Sequence, residues 1–349
     1  MTKLLIVDDS ALMRKYLREI FEADGTFEVA TARNGRDALA QIAQFNPDVV
    51  TLDVNMPEMD GITCLAAIMT DTPRPVVMVS SITTRGAEVT LEALKLGAVD
   101  YVEKPGGTVS LNIDQIAGRL VQTVKAAAKA KPRRSRNLVE RVRNAARSVP
   151  EPRPASAEAA AGLVLIGVST GGPRTIEDIL PELPAGFPLP IVVAQHMPAA
   201  FTASFAARLD SICRIQVTEV SGPTQLKAGH AYIGRGNADV VVETRLGRPV
   251  VNVAAEEPSH LWHPSVERLV RTAMRAFDPR RLVAVQLTGM GNDGAQAMAE
   301  LRQAGGHTIA EHESTAIVYG MPAELVRLGG AEKILPSDRI ADQLISWSK

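Results

Sequence analysis

Short apolar runs recur along the first third of the chain, each followed by a stretch with helical spacing. Leu4–Val7, Phe27–Thr31, Val49–Leu52, Val76–Val79 and Val99–Val102 read as strands, and helical periodicity fills the intervals to about residue 129. Five strand–helix units in succession predict a doubly wound parallel sheet with helices on both faces. A second pattern begins at Leu163–Val168, which leads through Gly171-Gly172-Pro173 into another helical stretch. Ile191–Gln195, Ala231–Gly234, Val240–Glu243, Val250–Val253, Val283–Leu287 and His307–Ala310 read as further strands, and Arg245-Leu246-Gly247-Arg248 reads as a hairpin turn. The fold class expected of this part is α/β, with a mainly parallel sheet and a small antiparallel hairpin.

The length of 349 residues fits two domains at roughly 100–200 residues each. Hydrophobic residues at 46% and charged residues at 22% exclude wholesale disorder and collagen-like repeats. The formal net charge of −1 conceals a division. Between Lys125 and Arg153 ten basic residues face only Glu140 and Glu151, a local charge of +8 that leaves −9 for the rest. Pro150, Pro152 and Pro154 followed by an alanine-rich run predict an extended connection, with Asn137–Arg147 as a candidate short basic helix. The domains are therefore placed at 1–127 and 162–349, with a basic Pro/Ala-rich linker at 128–161. Cys64 and Cys213 lack paired spacing, so buried inert thiols are expected rather than a disulfide framework or a zinc knot. The four apolar residues before Asp8 are too few for a signal peptide, and no run reaches the ~20 apolar residues of a membrane helix. A cytoplasmic protein without membrane insertion is expected.

Asp8 and Asp9 close the first strand and Asp53 the third, which puts three carboxylates at the carboxyl edge of the sheet. Close like charges raise one another's pKa unless a cation offsets them, and Mg²⁺ suits such an oxygen-rich group. Ser80 ends the fourth strand and Lys104 follows the fifth, where a hydroxyl and an ammonium would meet a phosphoryl group. Asp8-Asp9, Leu52-Asp53-Val54-Asn55-Met56-Pro57-Glu58-Met59-Asp60-Gly61, Ser80 and Lys104-Pro105 resemble the receiver domain of two-component response regulators over residues 1 to about 125. The resemblance implies a flavodoxin-like fold and a histidine kinase as phosphodonor to Asp53. It further implies Mg²⁺ held by Asp9, Asp53 and the Asn55 carbonyl with Asp8 assisting through water, switch roles for Ser80 and Lys104, and a cis peptide at Lys104-Pro105.

Gly167-Val168-Ser169-Thr170-Gly171 fits the G-x-S-x-G pattern, in which a sharp strand-to-helix turn exposes a serine hydroxyl. A glycine-rich turn of this kind equally suits a phosphate, so nucleotide binding is a competing reading. His196, just past another strand, supplies a base, and Asp293, in Thr288-Gly289-Met290-Gly291-Asn292-Asp293-Gly294, supplies a carboxylate to orient it. The chemistry assigns Ser169 as nucleophile, His196 as proton carrier and Asp293 as the group that fixes the tautomer. Backbone N–H groups near Met290 would form the oxyanion hole, with Thr170 beside the serine as active-site support. The chain order Ser, His, Asp departs from the Ser, Asp, His order of α/β-hydrolases.

Ser169-Thr170-Gly171-Gly172-Pro173, Gln195-His196-Met197-Pro198 and Thr288-Gly289-Met290-Gly291-Asn292-Asp293-Gly294 together resemble the catalytic domain of the chemotaxis receptor methylesterases over about 162–348. The resemblance implies a phosphorylation-activated serine hydrolase that removes methyl esters from glutamates of methyl-accepting chemoreceptors and deamidates receptor glutamines. No cofactor is expected in its esterase site. The family usually has arginine where His263 stands, a departure that touches substrate recognition more than catalysis. The alternative is a receiver-controlled regulator that binds DNA through the basic linker. No helix-turn-helix pattern supports it, so no nucleic-acid partner is expected.

Overall fold

In the computed structural model the chain divides into two compact units, described over residues 1–80, 84–104, 113–130 and 162–348. The proposed linker, beyond residues 128–130, and the Lys104-Pro105 peptide lie outside the described residues.

The first unit runs β1 (Thr2–Val7), α1 (Ala11–Asp24), β2 (Phe27–Ala32), α2 (Gly35–Phe45), β3 (Val49–Asp53), α3 (Gly61–Asp71), β4 (Val76–Ser80), α4 (Thr84–Leu96), β5 (Asp100–Glu103) and α5 (Ile113–Ala128). Its five strands are all parallel in the order β2-β1-β3-β4-β5. A strand covered by helices on both faces is largely apolar, and every residue of β3 is buried, Thr51 and Asp53 included, as are Leu4 to Val7 of β1. Helix starts follow the sequence: Ser10, Asn34 and Asp60 each accept a hydrogen bond from a first-turn N–H, which stops the preceding segment from running into the helix. The chain leaves β1 for β2 on one side and reaches β3 on the other. That reversal opens a crevice at the carboxyl ends of β1 and β3, where the aspartates lie.

The second unit runs β6 (Leu163–Val168), α6 (Gly172–Ile179), β7 (Ile191–Gln195), α7 (Ala199–Ile212), β8 (Gln216–Glu219), β9 (Thr224–Gln225), β10 (His230–Ile233), β11 (Asp239–Arg245), β12 (Arg248–Ala254), α8 (Val266–Ala276), β13 (Leu282–Gln286), α9 (Ala295–Gln303), β14 (His307–Glu311), α10 (Met321–Arg327), β15 (Lys333–Leu335) and α11 (Ser337–Trp347). Seven parallel strands form one sheet in the order β15-β14-β13-β6-β7-β10-β8. The strands β11, β12 and β9 make a separate antiparallel sheet. The predicted hairpin is present, with Leu246 at φ 50° and Gly247 at φ 75°, the left-handed pair that a two-residue turn between twisted strands needs. Helix α8 joins the two sheets: its Val266, Leu269, Val270 and Ala273 are fully buried in one core with Leu163 and Ala284 of the large sheet and Val240, Val242 and Val251 of the small one. Three strands were not predicted, β8, β9 and β15, all short.

Candidate functional site

The first unit gathers its acids as the strand ends predict. Carboxylate oxygens of Asp8, Asp9 and Asp53 lie within 4.8 Å of one another, with Asp8 and Asp53 buried and Asp9 exposed. The Lys104 ammonium is 2.7 Å from Asp8 Oδ2 and 2.7 Å from Asp53 Oδ2. Burial pushes the Asp53 carboxyl above its ordinary range, and the Asp8 charge adds to the rise against the lowering by Lys104 and the Asn55 N–H. For Lys104, burial works downward, but its hydrogen bonds to Asp53 and Asp8 raise its pKa on balance. One ammonium against three carboxylates leaves net negative charge, so a hard divalent cation fits the group. Ser80 closes β4 in register with Glu103, one residue before Lys104, which brings both switch positions to this edge.

In the second unit β6 has β13 on one side and β7 on the other; Ser169 and His196 directly follow β6 and β7, and Asp293 lies in the loop that leaves the carboxyl end of β13. Val168 pairs with Gln195, so Ser169 and His196 leave adjacent strands in step. The Gln195 amide donates to the carbonyls of both Ser169 and His196, at 3.0 and 3.2 Å, and ties the two turns together. Ser169 N donates to Thr288 O at 2.9 Å, which fastens the serine to the loop after β13. Gly171 has φ 78°, a left-handed conformation that lets the chain turn at once into α6. A Cβ on Gly289 would stand 2.7 Å from Ser169 Cβ, so only glycine allows this approach.

Asp293 is buried and accepts His196 Nε2–H on Oδ2 at 2.8 Å. Oδ2 also accepts from Val266 N at 2.7 Å, and Oδ1 accepts from Ser265 Oγ at 3.1 Å and Glu267 N at 3.0 Å. Burial opposes ionisation of this carboxyl. The His196 hydrogen bond and charge, with the N–H groups of Glu267 and Val266, outweigh it and hold the pKa below the ordinary range. The site of this acid is the start of α8, where unpaired N–H groups favour negative charge. His196 Nδ1 is buried without a hydrogen-bond partner. With Nε2 engaged, Nδ1 is the nitrogen left to take a proton, and serine–histidine contacts commonly tighten only when substrate is bound. The N–H groups of Thr170 and Met290 donate no hydrogen bond among the described residues, as an oxyanion site requires.

The sequence assigns no role to several neighbours of the site. Trp262 stacks parallel to the His196 ring, 5.7 Å between centroids and 3° between planes. Thr288 N donates to the buried Glu311 and Thr288 Oγ1 to Thr170 O, bracing the Asp293 loop against β14 and the serine turn. His263, the departure noted in the sequence, donates from Nδ1 to buried Asp239 at 3.0 Å. It is a packed residue hydrogen-bonded to Asp239, and no His, Cys, Asp or Glu group suited to a metal includes it among the described residues. Cys64 and Cys213 are both buried, and burial pushes the Cys64 thiol up to about 12, as expected of an inert thiol. A cleft of about 670 Å³ between the β11–β12 hairpin and α8 holds none of the triad. Two of its arginines, Arg268 and Arg271, are already paired with Asp239 and Glu300.

A family model described as CheB methylesterase matches residues 164–344, and one described as response regulator receiver domain matches residues 4–113. The chain is 56% identical over 356 residues to protein-glutamate methylesterase/protein-glutamine glutaminase 3 of Rhodospirillum rubrum, covering 99% of this chain and 96% of that protein. It is 51% identical over 359 residues to a protein-glutamate methylesterase/protein-glutamine glutaminase 2 of Rhodopseudomonas palustris, with 99% and 98% covered. The crystal structure of the Thermotoga maritima CheB methylesterase catalytic domain is similar at TM-score 0.51 and 37% identity, over 53% of this chain and 97% of that one.

Proposed function

Since the chain belongs to the protein-glutamate methylesterase/protein-glutamine glutaminase family, whose matches span both of its units, we propose that it hydrolyses glutamyl methyl esters and glutamine amides on chemoreceptors under control of Asp53 phosphorylation. The observation that carries the reading is the convergence of Ser169, His196 and Asp293 from three adjacent strand ends, with His196 Nε2 on Asp293 and Nδ1 left over. In the reaction Ser169 Oγ attacks the side-chain carbonyl carbon as His196 Nδ1 takes its proton. The oxyanion develops toward the N–H groups of Thr170 and Met290. His196 returns the proton to the leaving methoxide, releasing methanol, or to the amide nitrogen, releasing ammonia. Water then enters by the same route in reverse, giving free glutamate and restoring the serine. Asp293 stays ionised throughout and stabilises the imidazolium.

At the receiver site Asp8, Asp9, Asp53 and the Asn55 carbonyl would hold Mg²⁺, which would supply positive charge to phosphoryl oxygens during transfer from a histidine kinase. Lys104 already spans Asp8 and Asp53 and is placed to pair with the new phosphate. A cytoplasmic location accords with this reading, and among the described residues no helix is long and apolar enough to cross a membrane. The competing DNA-binding reading rested on the basic linker, outside the described residues. The test is methanol release from methylated receptor, with and without a small-molecule phosphodonor, for wild type, Asp53→Asn and Ser169→Ala. Stimulation lost in Asp53→Asn and release lost in Ser169→Ala are expected; release that survives Ser169→Ala overturns the reading.

A further inference from the structure

Two buried carboxylates grip one short turn. Asp293 takes three of its four hydrogen bonds from Ser265 Oγ, Val266 N and Glu267 N, all at the start of α8. Asp239, the first residue of β11, has a side chain with 0% exposure and holds the same turn from the other side. Its Oδ1 accepts from Ser265 N at 2.8 Å and His263 Nδ1 at 3.0 Å, and its Oδ2 from Arg268 Nη1 at 2.6 Å. Ser265 is the joint between them: its N–H serves Asp239, its hydroxyl hydrogen serves Asp293, and its hydroxyl oxygen accepts from Arg268 N at 3.2 Å as the cap of α8. Ser265 is fully buried, so water does not replace any of these bonds.

A carboxylate held by His196 alone would rotate about its side-chain torsions. The turn supplies donors to both oxygens and leaves one orientation. We propose that Asp239 and Ser265 are positioning residues for the hydrolysis: Asp239 pins the turn, and Ser265, with the two N–H groups that follow it, aims Asp293 Oδ2 at His196. Both act through Asp293 rather than on the reacting atoms. The inference rests on the hydrolase reading given above.

Two measurements on the full chain test it: steady-state methanol release from methylated receptor, and the rate at which a fluorophosphonate labels Ser169. Ser265→Ala removes one donor to a charged acceptor and is expected to lower kcat about tenfold with KM within about twofold, and to slow labelling in proportion. Asp239→Ala is expected to lose at least as much. The double variant should be no worse than the weaker single one, because both act through one turn. Wild-type kcat and labelling in Ser265→Ala, or a change confined to KM, overturns the proposal. Losses that multiply in the double variant overturn the shared route. Should Asp239→Ala melt below the assay temperature, Ser265→Ala decides alone. Failure of wild type to release methanol while Ser169 is still labelled would instead sink the substrate assignment and leave the positioning result readable.

Discussion

Asp293 accepts four hydrogen bonds in a dry setting, and this crowding fixes how the second unit responds to acid. Its folded pKa lies below the ordinary ~3.9 of an aspartate, so its share of stability is present above that value and is lost as pH falls through the lower folded one. Asp239 behaves alike: burial works against its charge, but Arg268 and His263 bring its pKa down on balance. Melting temperature followed below about pH 4 is therefore expected to fall less steeply in Asp293→Asn than in wild type. At neutral pH the same variant leaves His196 Nε2 without an anionic partner, and kcat should drop by about four orders of magnitude. Ser169→Ala should cost at least as much in kcat, yet shift stability by no more than ~0.5 kcal/mol, because its side chain is not part of the core. The candidate triad was legible in the sequence because Ser169 and Asp293 sit in glycine-rich turns and His196 directly follows a strand. Asp239, Trp262, Ser265 and Glu311 were not, since each acts through a partner 20 or more positions away and none sits in a local pattern.

Elements with strong apolar runs were read within a residue or two: β6 and β7 match the expected bounds, and β10 and β13 start one residue earlier. The missed strands lacked that signal. Gln216–Glu219 buries only Val217 fully, Thr224–Gln225 is two residues long, and Lys333–Leu335 is exposed over most of its length. Their strand character comes from a neighbour's hydrogen bonds rather than from their own burial. At the β11–β12 turn Leu246 holds φ 50° with its side chain wholly in solvent, a conformation that asparagine adopts more readily. Leu246→Asn should stabilise the second unit by about 0.5–1 kcal/mol, seen as a higher melting temperature with unchanged kcat. At the loop after β13 the opposite holds. Gly289→Ala brings a methyl group against Ser169 Cβ and Met321 Sδ, so kcat should fall by about two orders of magnitude even where the fold survives.

At the scale of the whole molecule, chemistry is divided between two units that each complete their own sheet. A fragment of residues 162–349 contains the candidate triad, the proposed oxyanion N–H groups and a closed core. It is expected to retain basal methanol release and to ignore both phosphodonor and chelator. The full chain should lose its phosphodonor response, and only that response, when Mg²⁺ is removed with EDTA. A fragment that still answered to phosphodonor would place the control elsewhere. Two units and a basic stretch between residues 125 and 153 were readable from composition and strand rhythm. The pairing order of seven parallel strands was not, because local sequence says which segments extend but not which neighbours they choose.

The ends of those sheets carry a last consequence. A parallel sheet exposes unpaired backbone along both outer strands, and a long flat border would invite copies of the chain to stack edge to edge. Here the borders of the large sheet are β8 and β15, four and three residues long, with Glu219 on one and Lys333 on the other. The smaller parallel sheet ends in β5, four residues bounded by Asp100 and Glu103, and in β2, six residues that carry the exposed Glu28. Short, charged borders act as gatekeepers against fibril-like association. Lys333→Val, which would set an apolar side chain beside the partly exposed Ile334, should therefore reveal itself first as turbidity on storage, well before any loss in turnover.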